Sequence, residues 1–394
     1  MSSYFFIPTR SIFGEGCVNE VGELVADLGG KKPLIVTDAF LGSKKSGMAD
    51  DIAKILSDAG LKPTIFAGAQ PNPTDKNCDE GNAVFKKNGC DFIISLGGGS
   101  AHDCAKGIAI LATNGGKMPD YEGVNVAAKD LIPIVAINTT AGTASEMTQF
   151  AVITDSSRKV KMVVIDWRCT PKIGINDPAL MVGMPPSLTA NTGMDALTHA
   201  VEAYVSVGAT PLTDACAIKA MQLIAEWLPK AVANGTDIVA RDKMAYAEYL
   251  AGCAFNNAGL GYVHAMAHQL GGMYDLAHGE CNAVLLPYVS EFNIIAACER
   301  YADVAEALGV QTAGMSTEAK AESAVVAIHK LSSLVGIIPN LHAREIVKPA
   351  DFEHLAENAM KDLCASYNPR LYTKQDVIDI YQRAYDGTPL FCKF

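Results

Sequence analysis

The segment HAMAHQLGGMYDLAHG, His264 to Gly279, gathers three of the chain's eight histidines among alanines, methionines and leucines. His264 and His268 stand i,i+4, so on a helix they share a face, and His278 follows beside a glycine. Upstream, TGMDALTHAVEAYV (192–205) gives Asp195 and His199 the same spacing. Small apolar neighbours imply buried faces. A buried carboxylate needs a partner, and several buried imidazoles together are costly unless they bind something. Asp195, His199, His264, His268 and His278 are five candidates for the four positions of a divalent first-row metal. Carboxylate and imidazole suit ferrous iron, zinc, manganese or nickel, and no cysteine lies in the set to favour zinc. One imidazole is left over for another task.

A second cluster would hold a phosphate. SLGGGSAHDCAKG (95–107) passes from a strand through Gly97, Gly98 and Gly99 into a helix. Glycines let a ligand approach the backbone, and the helix start offers free N–H groups and positive dipole to a pyrophosphate. Ser100 could cap the helix or donate to a phosphate oxygen. The spacing is neither GxGxxG nor a Walker A motif. Asp38 follows the strand PLIVT, where a carboxylate accepts the ribose hydroxyls of NAD and repels the extra phosphate of NADP. NTTAGTASE (138–146) adds a loop of small hydroxyl residues at what would be the same sheet edge. Together the clusters suggest one chemistry. A metal that polarises an alcohol oxygen lowers its pKa, the carbon gives hydride to nicotinamide, and the spare histidine relays the proton.

Elements must position these groups. Up to about residue 180, short apolar runs at 33–37, 63–68, 91–99 and 131–140 alternate with helical segments at 49–60, 78–89 and 101–116. Strands apolar on both faces predict a parallel sheet covered by helices, an α/β dinucleotide-binding domain. TQFAVITD (148–155) and KVKMVVID (159–166) predict an appended hairpin. From Leu188 onward the spacing is helical, as in 213–235 and 240–258. The expected division is residues 1–185 for the α/β domain and 186–394 for an all-helical, metal-binding domain. The apolar YFFIP (4–8) reads as an exposed edge strand wanting a partner.

With 394 residues and 49% hydrophobic content, the chain can bury a large core. A net charge of −11 argues against nucleic acid or an anionic membrane as partner. Eleven scattered cysteines without a CxxC pair read as free thiols in a reducing compartment. No signal peptide and no apolar run of about 18 residues is expected, so a cytoplasmic protein is the default.

The strings SLGGGSAHDCAKGIA, INTTAGTASEMT, VKMVVID, TGMDALTHAVEAYV, AFNNAGLGYVHAMAHQLGG and HGECNAVLLPYVSEFN resemble the iron-containing, or group III, alcohol dehydrogenases. The texture is most similar to the branch of NAD-dependent methanol, ethanol and 1,3-propanediol dehydrogenases. The resemblance implies the dehydroquinate synthase-like fold, an α/β NAD domain and an all-helical domain with the site in the cleft between them. It implies Asp195, His199, His264 and His278 as metal ligands and His268 as the spare imidazole. It implies Asp38 as the adenosine-ribose contact, Asn72 on the adenosine side and Lys161 near the nicotinamide ribose. Gly97, Gly98, Gly99 and Ser100 would form the pyrophosphate loop, with Thr139, Thr140 and Thr143 as further cofactor contacts. Phe150, Phe255, Leu260 and Cys364 would line an apolar pocket favouring short alcohols or aldehydes. Family members form dimers or larger assemblies, so a homo-oligomer is expected. The chain departs from many relatives at Asn191, Glu280 and Tyr288, and Glu280, two residues past a proposed ligand, is expected to alter local charge. Two other readings stand: a zinc polyol dehydrogenase of the glycerol type, and a metal- and NAD-binding protein without turnover.

Overall fold

A computed structural model describes residues 4–391. The chain divides into two compact units, Ile7–Val182 and the remainder from Gly183 onward, the latter including residues up to Phe6.

The first unit holds β1 (Arg10–Phe13), α1 (Val21–Asp27), β2 (Pro33–Asp38), α2 (Met48–Asp58), β3 (Thr64–Ala69), α3 (Asp75–Lys87), β4 (Phe92–Gly97), α4 (Gly99–Asn114), β5 (Gly123–Val124), β6 (Ile134–Asn138), β7 (Phe150–Asp155), β8 (Val160–Ile165) and β9 (Ile173–Asn176). Six strands form one parallel sheet in the order β1-β9-β6-β4-β2-β3. Leu34, Ile35 and Val36 of β2 and Ile93 and Ile94 of β4 are all fully buried. That is why these strands read as continuous apolar runs, since helices cover both faces. One apolar layer, around Ile93, Ile108 and Ile153, lies on one side of the sheet. The other, around Ile35, Ile52 and Ile137, lies on the opposite side. β7 and β8 pair antiparallel, Phe150 against Ile165, and join β5 in a separate three-stranded sheet.

The second unit is helical: α5 (Pro186–Val205), α6 (Pro211–Ala233), α7 (Ile238–Ala258), α8 (Tyr262–Tyr274), α9 (His278–Ala307), α10 (Thr317–Leu334), α11 (Phe352–Ala359) and α12 (Lys374–Asp386). α5 begins with Pro186 at its first turn, where the missing N–H costs nothing. Alanines and glycines on the inner faces admit close helix approach: a methyl built on Gly193 would meet Leu228 Cδ1 at 2.2 Å. α9 is the one helix among the described residues long and apolar enough to cross a membrane, and 67% of its apolar window is buried in the fold.

Residues 4–8 are not the expected strand; the edge strand begins at Arg10. The Phe6 N–H donates to Asn257 Oδ1 at 2.5 Å and its carbonyl accepts from Asn256 Nδ2 at 3.1 Å. Side-chain amides of α7 thus take the peptide groups a strand would offer, and Pro8 has no N–H to give. Tyr4 and Phe5 are exposed.

Candidate metal and dinucleotide sites

The sequence of β4 and α4 explains the first site. Gly97 closes β4 at φ +148°, a conformation side chains resist, and a methyl on it would lie 2.7 Å from Ala101 Cβ. Methyls on Gly98 and Gly99 would meet Thr140 at 2.8 Å and Thr143 at 2.7 Å. The glycine turn and the threonine loop are therefore packed to contact, and only glycine fits between them. Gly98 caps α4 without a side-chain hydrogen bond. Thr139 N–H bonds Gly97 O at 3.0 Å, and Thr140 N–H bonds Asn138 Oδ1 at 3.2 Å. Ser145 N–H bonds Thr143 Oγ1 at 3.2 Å. Ser100 sits half-buried in the first turn of α4. Asp38 ends β2; its Oδ1 accepts the Phe40 and Leu41 N–H groups at 2.7 and 3.0 Å, and its Oδ2 lies 3.9 Å from the Cβ position of Gly97.

Lys161 Nζ donates to Asn72 Oδ1 at 2.8 Å. Asn72 holds a left-handed φ of 54°, which Asn tolerates better than most residues.

Behind the cradle lies a buried clamp that the sequence reading did not single out. Lys106 is fully buried, and its Nζ donates to Ser145 Oγ, Thr148 O and Phe150 O at 2.8, 3.0 and 2.6 Å. Ser145 Oγ donates in turn to Asp103 Oδ1 at 2.7 Å. Burial holds the Asp103 carboxyl above its ordinary value, against the pull of Lys106, and lowers Lys106. Phe150, expected in the substrate pocket, belongs to this unit.

The second unit builds the histidine cluster. Asp195 and His199 lie on α5, His264 and His268 on α8, and His278 opens α9. One ligand atom from each of Asp195, His199 and His264 lies within 4.8 Å of the others. Asn282, one turn into α9, places its Nδ2 2.7 Å from Asp195 Oδ1, 3.1 Å from His264 Nε2 and 3.2 Å from His278 Nε2. That amide has two hydrogens for three acceptors, so it cannot satisfy them all. A divalent cation could, and the donor set of one carboxylate and imidazoles fits it. His199 is stacked between Phe255, centroids 4.3 Å apart, and His264, at 4.6 Å. Burial drives the His264 pKa well below its ordinary value, so its ring is neutral, as a ligand must be.

Two of the rings, His264 and His268, have a carboxylate behind them. His264 Nδ1 lies 2.6 Å from Glu202 Oε2, and the Val263 N–H donates to Glu202 Oε1 at 2.7 Å. With the proton on Nδ1 facing Glu202, the Nε2 lone pair is turned to the cluster. Burial pushes the Glu202 carboxyl up to about 8, against the backbone N–H groups of Val263, Gly261 and His264. A cation on the ring would oppose that push. His268 Nδ1 lies 2.8 Å from Asp362 Oδ2, and Asp362 Oδ1 accepts the Cys364 N–H at 2.9 Å. Burial acts to raise Asp362, but the charge and hydrogen bond of His268 outweigh it and hold the carboxyl below its ordinary value.

Glu202, Asn282 and Asp362 escaped the sequence reading. Glu202 stands three residues after His199 and Asn282 four after His278, so helical spacing was a signal for both. Asp362 had none beyond its nearness to Cys364. Leu260 and Cys364 are buried, Leu260 in the turn between α7 and α8. Glu280 is bound by Arg344 through two contacts of 2.6 Å, which offsets its charge. Tyr288 lines a small cleft with His329 and Ile338, between α9, α10 and the chain that follows α10.

The two halves of the chain match family models: residues 8–178 that of iron-containing alcohol dehydrogenase and residues 189–385 that of the Fe-containing alcohol dehydrogenase C-terminal region. The chain belongs to the iron-containing alcohol dehydrogenase family. It is 55% identical to the NAD-dependent methanol dehydrogenase of Bacillus methanolicus, covering 96% of this chain and 99% of the relative. It is 51% identical to the 1,3-propanediol dehydrogenase of Klebsiella pneumoniae, over 97% and 98%. A crystal structure of a 1,3-propanediol oxidoreductase superposes with TM-score 0.95 at 50% identity, over 98% of this chain and all of the other.

Proposed function

We propose that the chain oxidises short primary alcohols with NAD, or reduces the matching aldehydes, at a divalent metal centre for which ferrous iron is the first candidate. The observation that carries this reading is the convergence of Asp195 Oδ1, His264 Nε2 and His278 Nε2 on one point, beside an imidazole tied to its own carboxylate. Asp195, His199, His264 and His278 would hold the metal. When bound, the cation supplies Lewis acidity toward an alcohol or carbonyl oxygen.

The chain's own residues do the rest. Glu202 holds His264 with Nε2 forward. Asp362 accepts from His268 Nδ1, which leaves His268 Nε2 to take the hydroxyl proton and return it in the reverse direction. Gly97, Gly98, Gly99 and Ser100 receive the pyrophosphate at the start of α4, with Thr139, Thr140 and Thr143 walling the turn. Asp38, with one oxygen spent on its own loop, keeps the other for the ribose hydroxyls, which favours NAD over NADP. Lys161 would contact the nicotinamide ribose, and Asn72, which accepts from it, the adenosine side. Phe255 braces His199 and, with Leu260 and Cys364, keeps the substrate small. The zinc polyol reading gains nothing from relatives of the kinds found. We further take the enzyme to be a cytoplasmic homo-oligomer, which sedimentation of the native chain would test.

Ethanol deuterated at its hydroxyl-bearing carbon is the test of chemistry. The expected product is NADH carrying one deuterium. NADH without the label would contradict direct hydride transfer. No NADH from any short alcohol would favour the binder without turnover.

A further inference from the structure

His268, Asp362 and Cys364 each offer a ligand atom, and the three atoms lie within 4.8 Å of one another. All three residues are nearly buried, and none belongs to the four proposed ligands of the first metal. We propose that they form a second cation site, one that selects thiophilic zinc over iron. Imidazole, carboxylate and thiolate are the donors zinc takes at about 2.0 to 2.3 Å. In a tetrahedral shell such donors stand roughly 3.3–3.8 Å apart, so a cation taking His268 Nδ1 and Asp362 Oδ2 would open that pair from its present 2.8 Å. The Cys364 N–H on Asp362 Oδ1 at 2.9 Å holds the cysteine beside the carboxylate.

The first cluster contains no sulfur, so the two sites differ in kind. Burial, then the negative charge of Asp362, keeps the Cys364 thiol protonated. That charge favours a cation, whose arrival expels the thiol proton to solvent and leaves a coordinated thiolate, while a His268 ring that ligates through Nδ1 carries its one proton on Nε2 instead. The His268 ring stacks on His278 with centroids 5.3 Å apart and meets His264 edge-on at 6.0 Å, so the second cation would sit close to the first. Asp195, Asp362 and the thiolate are the anions available to offset that repulsion. A filled site would occupy the His268–Asp362 pair. Resting on the relay role proposed above, this predicts that excess zinc inhibits turnover.

Cobalt(II) reports the site directly, because a cobalt–thiolate bond gives a near-ultraviolet charge-transfer band. The purified full chain, with its first site filled by iron, is titrated with cobalt(II) without oxygen. One further equivalent per chain and the band are expected, and Cys364→Ser should lose both. No further equivalent, or a band that survives Cys364→Ser, would overturn the site. Zinc K-edge absorption on the unmutated, iron-filled chain needs no variant: a sulfur scatterer is expected, and a shell of nitrogen and oxygen alone would overturn it. If zinc binds with sulfur yet leaves turnover intact, the site stands and the relay role of His268 falls.

Discussion

The cofactor cradle and the histidine cluster are built on opposite principles. The cradle is made by what is absent: three glycines pressed against Thr140, Thr143 and Ala101, presenting backbone rather than side chains. The cluster is made by what is present: five titratable side chains on α5, α8 and α9, with Glu202 and Asp362 as buried partners to two of them. A backbone site is damaged by adding atoms. A side-chain site is damaged by removing them, and by removing the groups that aim them.

That contrast can be broken in graded steps. Asp195→Ala should have the largest effect: metal below a tenth of an equivalent by elemental analysis and turnover below detection, with NAD binding kept. Next, His268→Ala should keep the metal while turnover falls about 10²–10⁴-fold, the usual contribution of a positioned acid–base group. Equal loss of metal would show that His268 is a ligand instead. Glu202→Gln should weaken metal affinity about 10–100-fold by chelator competition, as outer partners of ligating histidines do. Gly98→Ala should cost NAD roughly tenfold in affinity by calorimetry, from overpacking worth about 1–3 kcal/mol against Thr140. Metal content should not change, which is the sharpest form of the comparison. Glu280→Gln should be mildest, at most about fivefold on metal affinity, since its Arg344 partner is half exposed and such pairs contribute about 0–1 kcal/mol.

The same contrast explains what could be read before the fold was known. Strands β2, β4 and β6 announce themselves because burial on both faces leaves uninterrupted apolar runs. Gly97–Gly99 is legible because a run of three glycines between a strand and a helix marks a turn packed too closely, here against Ala101, Thr140 and Thr143, for any other residue. The histidines are legible because helical spacing puts partners four residues apart. β1 and β9 are not: RSIF and IGIN are short, and a central glycine dilutes the second. Asp362 is 94 residues from His268, and the Asn72–Lys161 bond spans 89. No local pattern encodes such pairs, because the tertiary fold alone brings them together. The strand expected at residues 4–8 failed for a related reason, since the amides that took its peptide groups lie in α7.

The most direct measurement is NADH formation by the anaerobically purified chain with ferrous iron, NAD and ethanol or 1,3-propanediol, before and after a chelator. Turnover that the chelator abolishes and fresh iron restores is expected. Turnover indifferent to metal removal, or none from either alcohol with iron and NAD both bound, would contradict that expectation.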